Sequence, residues 1–196
     1  MNKKIFGVLF FSIFVSTLGV GIVIPLLPVY AHDMGASGIY IALIFGSFSL
    51  SRSFFLPYFG RKSDISGRKP YITLGLIIYA LVSIVFIFST DVNSLIIARF
   101  IQGIGSAMIL PIAQAYIGEI TPPGKEGFIM GLFNISLYGG LSLGPVIGGV
   151  IKDSYNIQAS FISMGLLTLC GFFLCIFLLP PKRYENLSSH KKRPLS

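Results

Sequence analysis

The chain has 196 residues, 54% of them apolar and 11% charged, with a mean hydropathy of +0.82 and a formal net charge of +8. An ordinary soluble domain is about 25% charged, and a soluble fold this short leaves too much of its chain at the water boundary to hide so much apolar surface. A soluble enzyme, a disordered chain and a secreted disulfide scaffold are excluded, and the class is an integral membrane protein.

A bilayer core of about 30 Å requires roughly 20 apolar residues per helix. Six runs meet this, at 5–30, 38–59, 71–90, 94–119, 127–151 and 157–179, each too long and continuous for a buried strand. The first opens on Lys3 and Lys4 in the manner of a secretory signal. It continues to Val29 without a cleavage motif, so it reads as an uncleaved helix. Within it lie Gly19-x-Gly21, Pro25 and Pro28. The second run holds Arg52 amid Ser47, Ser49, Ser51 and Ser53, about 10 Å from the cytoplasmic end at 1.5 Å per residue. That depth favours a side chain snorkelling to the headgroups, with a cavity lining as the alternative.

The segment that follows reads Gly60-Arg61-Lys62-Ser63-Asp64-Ile65-Ser66-Gly67-Arg68-Lys69. Its glycines predict a tight turn. Asp64 stands among four basic residues, within reach of charge-assisted hydrogen bonds, and Glu119, at the end of the fourth run, is a second partner for Arg68. In that fourth run Arg99 stands about five residues from the outer end; an arginine at mid-helix costs about 2.5–3.5 kcal/mol, so it faces a wet cavity or a partner unless, at this shallow depth, it snorkels outward. Gln102, Ser106 and Gln114 continue it as a polar stripe towards the midplane, which favours the cavity. Gly103-x-Gly105 with Pro111 echoes the first run. Gly/Pro-interrupted helices in two inverted three-helix units point to a transporter.

The fifth run carries Asn134 and Ser136, read as helix–helix hydrogen bonds, and Gly140-x-x-x-Gly144-Pro145-x-x-Gly148-Gly149. Tandem glycines around a Gly-Pro step predict a tight, kinked helix contact near the outer face. Cys170 and Cys175, five residues apart in the sixth run, face different directions and cannot bridge. Pro180 and Pro181 end that helix, and 182–196 reads as a basic cytoplasmic tail or the start of a linker.

Basic residues set the orientation. Lys3, Lys4, Arg61, Lys62, Arg68, Lys69, Lys125, Lys182, Arg183, Lys191, Lys192 and Arg193 fall on one side; the alternate loops hold Lys152, and Arg52 and Arg99 lie inside spans. Both termini are therefore placed in the cytoplasm, in a multi-pass protein of the cell's inner (cytoplasmic) membrane. Loop charge accounts for the basic balance without nucleic acid. Gly35-Ala36-Ser37-Gly38 matches the G-x-S-G of rhomboid-type proteases, but His32 and His190 both lie outside the membrane, where neither serves as base. Two histidines and two membrane cysteines make no metal site, and no phosphate-binding loop is present. The reading is not an enzyme.

Taken together, four segments resemble the major facilitator superfamily, drug:proton antiporter-like branch. Gly60–Lys69 looks like the element between its second and third helices. Leu95-x-x-x-Arg99-x-x-Gln102-Gly103-x-Gly105-Ser106-Ala107 is similar to its fourth-helix element, and Gly140–Gly149 matches the antiporter element g-x-x-x-G-P-x-x-G-G. Leu18-Gly19-x-Gly21 with Pro25 and Pro28 looks like its first-helix pattern. The resemblance covers about 5–180. It implies an all-α membrane fold, the N-terminal six-helix half of a 3+3 inverted repeat, with domain 1–181 and tail 182–196. It also implies roles: the cytoplasmic gating loop with Gly60, Gly67 and Lys69, through Asp64 and Arg68, latching the outward-facing state against the second half of the transporter; Arg99 coupling protons from the cavity; Gly144 and Pro145 shaping the contact that controls alternating access. Lys62 and Ile65 depart from the loop element, and Ser16 and Thr17 stand where many drug antiporters carry an acid.

The function expected is half of a proton-coupled exporter of small amphipathic molecules, with protons as coupling ion and no cofactor. Its partners are the bilayer, the substrate and a second six-helix half or another copy of itself. Alternatives are a non-transporting membrane fragment or assembly partner, and a facilitator or symporter for a small metabolite.

Overall fold

A computed structural model describes residues 2–180; the tail expected at 182–196 lies outside the described residues. The helices are α1 (Lys3–Val23), α2 (Leu26–Asp33), α3 (Gly38–Ser66), α4 (Arg68–Phe88), α5 (Val92–Ile120), α6 (Glu126–Ser154) and α7 (Ile157–Leu178). Among the described residues six spans are long and apolar enough to cross a membrane, α1 and α2 counting as one. Asn2, Asp91 and Asn156 cap α1, α5 and α7 by accepting from backbone N–H groups of the first turn.

Two helix boundaries differ from the sequence expectation, for identifiable reasons. The first span is not one helix: it breaks at Ile24-Pro25. Pro25 and Pro28 lack the N–H groups that an unbroken helix would aim at the carbonyls of Gly21 and Ile24. The segment after the second span, read as a loop turning at its glycines, is not an open loop. It is a continuation of α3, and the chain reverses only at Gly67, which has φ +93° and ψ +154°. That region of backbone space is essentially reserved for glycine. By contrast, α5 and α6 run through Pro111 and Pro145 without interruption.

The packing is symmetric about the two three-helix units. α1 packs on α6 and α7, α5 packs on α3 and α4, and α4 packs on α7. Exchanging the first, second and third spans with the fourth, fifth and sixth maps this contact pattern onto itself, which is the 3+3 repeat. α1 and α5 are accordingly the most enclosed helices, while α3 and α6 leave much of their surface bare, including Leu50, Phe54, Ile135, Leu143 and Val146.

Glycines permit both close helix pairs. A Cβ added at Gly144 would lie 2.6 Å from the Gly21 Cα, and one added at Gly140 would lie 2.8 Å from the Leu18 nitrogen. Gly148 meets the Ile22 backbone in the same way, so the first-span and fifth-span glycine patterns are two sides of one contact. Gly19 faces a different neighbour, Met164 on α7, and Gly149 has nothing within 4 Å. On α5, Gly103 abuts the Phe48 carbonyl and Ser51, and Gly105 meets Gly75 of α4.

Gly144→Ala is expected to lower stability by about 1–3 kcal/mol through overpacking, read as reversible unfolding in detergent or bicelles. Gly149→Ala, with open space around it, should stay within about 0.5 kcal/mol of the parent.

Candidate functional site

Three helices close one end of the bundle around Arg68. This side chain is 8% exposed. Its Nε and Nη2 donate to Glu119 Oε1 at 3.1 and 2.9 Å, its Nη1 donates to Ser63 Oγ at 2.8 Å, and Nη2 also pairs with Asp64 one turn back. The ends of α3 and α5 are thereby tied to the start of α4. Because α3 extends to Ser66, Asp64 and Arg68 stand four residues apart across the Gly67 break. Arg68 is the basic neighbour with which Asp64 forms an ion pair. Gly60 lies inside α3, where its carbonyl accepts from Ser63 Oγ. Lys69 does something else: its Nζ donates to the carbonyls of Ile176 and Leu179, capping the end of α7.

Two turns into α5, Arg99 is 3% exposed and neither snorkels outward nor faces hydrocarbon. Its Nη1 donates to Gln102 Oε1 at 2.7 Å, and its guanidinium carbon sits 5.0 and 4.8 Å from the ring centres of Phe45 and Phe48. Desolvated cation–π contacts are worth about 2 kcal/mol each, comparable in sum to the insertion cost of one arginine. Arg99 Nε and Gln102 Nε2 are buried without a hydrogen-bond partner among the described residues.

The rings arrive there because α3 and α5 are held in register and close together. Ser47 Oγ and Ser51 Oγ, one turn apart, donate to the carbonyls of Ile96 and Phe100, also one turn apart. Gly103 removes the side chain that would keep the helices separate. Ser47 and Ser51 thus serve the α3–α5 seam, and Ser49 and Ser53 are exposed. Asn134 is half-buried, and Ser136 Oγ donates to Phe133 O in its own helix while its carbonyl accepts from Thr17 on α1.

Beside this seam lies a cavity of about 300 Å³, lined by Ser16, Thr17, Phe48, Arg52, Tyr79 and Ser106 among others. Arg52, for which depth favoured the headgroups but which was also a candidate cavity residue, is half-buried and lines the cavity. One expectation needs correction. The polar stripe on α5 does not face the cavity as a unit. Ser106 lines it, Gln102 is wholly buried against Arg99, and half-buried Gln114 is not among the lining residues. Arg99 itself lies behind Phe48, whose ring touches both the cavity and the guanidinium. Phe45, Phe48 and Tyr79 were not singled out by sequence; among 18 Phe and 9 Tyr no local signal distinguishes them. Among the described residues no group of three or more His, Cys, Asp or Glu comes together to hold a metal ion.

A family model described as Major Facilitator Superfamily matches residues 9–196. The chain belongs to the Major Facilitator Superfamily. It is 37% identical over 167 residues to an uncharacterised MFS-type transporter of Methanocaldococcus jannaschii, covering 85% of this chain and 43% of that protein. It is 32% identical over 192 residues to the quinolone resistance protein NorA of Staphylococcus aureus, covering 98% of this chain and 49% of NorA. The crystal structure of the human organic anion transporter MFSD10 (TETRAN) shares the fold, with a TM-score of 0.77 at 20% identity over 91% of this chain and 48% of that one. The chain spans about half the length of the relatives it matches. Members of this superfamily are multi-pass membrane transporters, and no catalytic family is indicated.

A double-mutant cycle of Arg99→Met and Phe48→Leu, read by unfolding free energy, is expected to give a coupling of about 0.5–2 kcal/mol. The same cycle with Phe54→Leu, an exposed ring on α3, should give none.

Proposed function

We propose that the chain forms the amino-terminal six-helix half of a secondary transporter that exports small amphipathic compounds in exchange for protons. A second six-helix half, or another copy of this chain, packs on the bare faces of α3 and α6. Alternating access is the rocking of one half against the other, with Asp64, Arg68 and Glu119 forming the cytoplasmic latch and both termini in the cytoplasm. The observation that carries this reading is Arg99: an arginine enclosed within a membrane-spanning helix, one ring removed from a cavity, is an expensive feature that packing does not require. The quinolone resistance function named for the Staphylococcus aureus relative supports export, and its length supports a second half. The glycine contact between α1 and α6 gives the rigid helix pair that rocking needs.

The test is efflux from everted vesicles containing the complete transporter. Efflux should collapse when an uncoupler dissipates the proton gradient, and Arg99→Ala should abolish it. Efflux unchanged by both treatments would overturn the mechanism.

A further inference from the structure

The charges of this half are partitioned by depth. The carboxylates among the described residues are Asp33, Asp64, Asp91, Glu119, Glu126 and Asp153, and each lies at a helix cap or within three residues of a helix end. Inside the spans stand Arg52 and Arg99. Arg99 is spoken for by Phe45, Phe48 and Gln102. Arg52 has no hydrogen-bond or ion-pair partner among the described residues, although it lines the cavity at the side of α3.

The rest of the cavity is equally one-sided. Ser16 Oγ donates to a carbonyl of its own helix and Thr17 Oγ1 is engaged by carbonyls of α1 and α6, while Tyr79 and Ser106 bring hydroxyls to the same space as Arg52. Around these few polar groups the lining is apolar, with Phe48, Ile13, Val20 and Leu137. A planar guanidinium in an apolar setting matches a carboxylate in a forked, two-bond geometry, and the aromatic and aliphatic wall matches an apolar body. A cation placed there meets the Arg52 guanidinium and no carboxylate of the described residues.

Resting on the transport reading above, we infer that the substrate is an amphipathic anion, its carboxylate held by Arg52 and its ring or chain seated against Phe48. Arg52 is then a specificity-determining residue, distinct from Arg99, which is withdrawn behind the ring. The carboxylate that Arg52 takes comes from the substrate and not from an acidic side chain of the second half.

Three probes of one shape test this: 2-naphthoate, 2-naphthamide and 2-naphthylmethylammonium. With this chain in phosphatidylcholine nanodiscs, naphthoate should bind at least tenfold tighter than naphthamide, and the ammonium probe weakest. Arg52→Gln should reduce naphthoate to the affinity of naphthamide, leave naphthamide within twofold, and be partly rescued by Arg52→Lys. Absence of binding by all three probes, equal binding, or preference for the ammonium probe overturns the inference. In the complete transporter Arg52→Gln should cut naphthoate transport at least tenfold and spare naphthamide. Equal loss of both would mean that Arg52 pairs with a carboxylate of the protein, and the inference fails. Uncoupler-sensitive transport that favours the ammonium probe defeats this inference alone; anion-selective binding with uncoupler-insensitive transport defeats proton coupling alone.

Discussion

A guanidinium resting on two phenyl rings inside an apolar bundle is the constraint around which this six-span bundle is organised. Arg99 cannot be enclosed unless α3 comes close enough to bring Phe45 and Phe48 over it. α3 comes that close because Gly103 has no side chain, and because Ser47 and Ser51 bond to successive carbonyls of α5. Each device is small in energy; together they convert a lone charge in the membrane into a shielded one. The delocalised, weakly hydrated charge of arginine suits it to this arrangement in a way the compact ammonium of lysine does not.

α5 links the regions of interest. It carries Arg99 and Gln102 in the seam, Ser106 on the cavity, and Glu119 at the end where Arg68 binds. Its symmetry counterpart, α1, plays the corresponding packing role through Gly21 against Gly144 and contributes Ser16 and Thr17 to the cavity. The two most enclosed helices thus bear the polar interior, and α3 and α6 are the two barest.

Span number and helical character were legible from hydropathy, because a bilayer leaves few options to long apolar runs. Helix ends were less so. The segment 60–66 looks like a loop by charge, yet a helix does not end where apolarity ends; it ends where the backbone requires φ > 0, at Gly67. The partner Glu119 for Arg68 was legible because both were basic-or-acidic exceptions at the same membrane side. The destination of Arg99 was legible only in part: its burial followed from cost, but the α5 stripe predicted a cavity-facing row. A helix apolar on nearly every side gives no direction to its polar residues, and the rings that decide the matter stand about fifty positions earlier in the chain. For Arg52 depth alone favoured the headgroups and the surrounding serines the cavity; the cavity is where it lies, because neighbouring helices decide what stands beside it.

The enclosure of Arg99 is tested most directly by the NMR signal of its Nε–H in the membrane-embedded protein. A guanidinium shielded by Phe45 and Phe48 should show solvent exchange at least tenfold slower than a free arginine and a ring-current shift that diminishes in Phe48→Leu. Exchange at the free-arginine rate, with a shift indifferent to Phe48→Leu, would contradict the account.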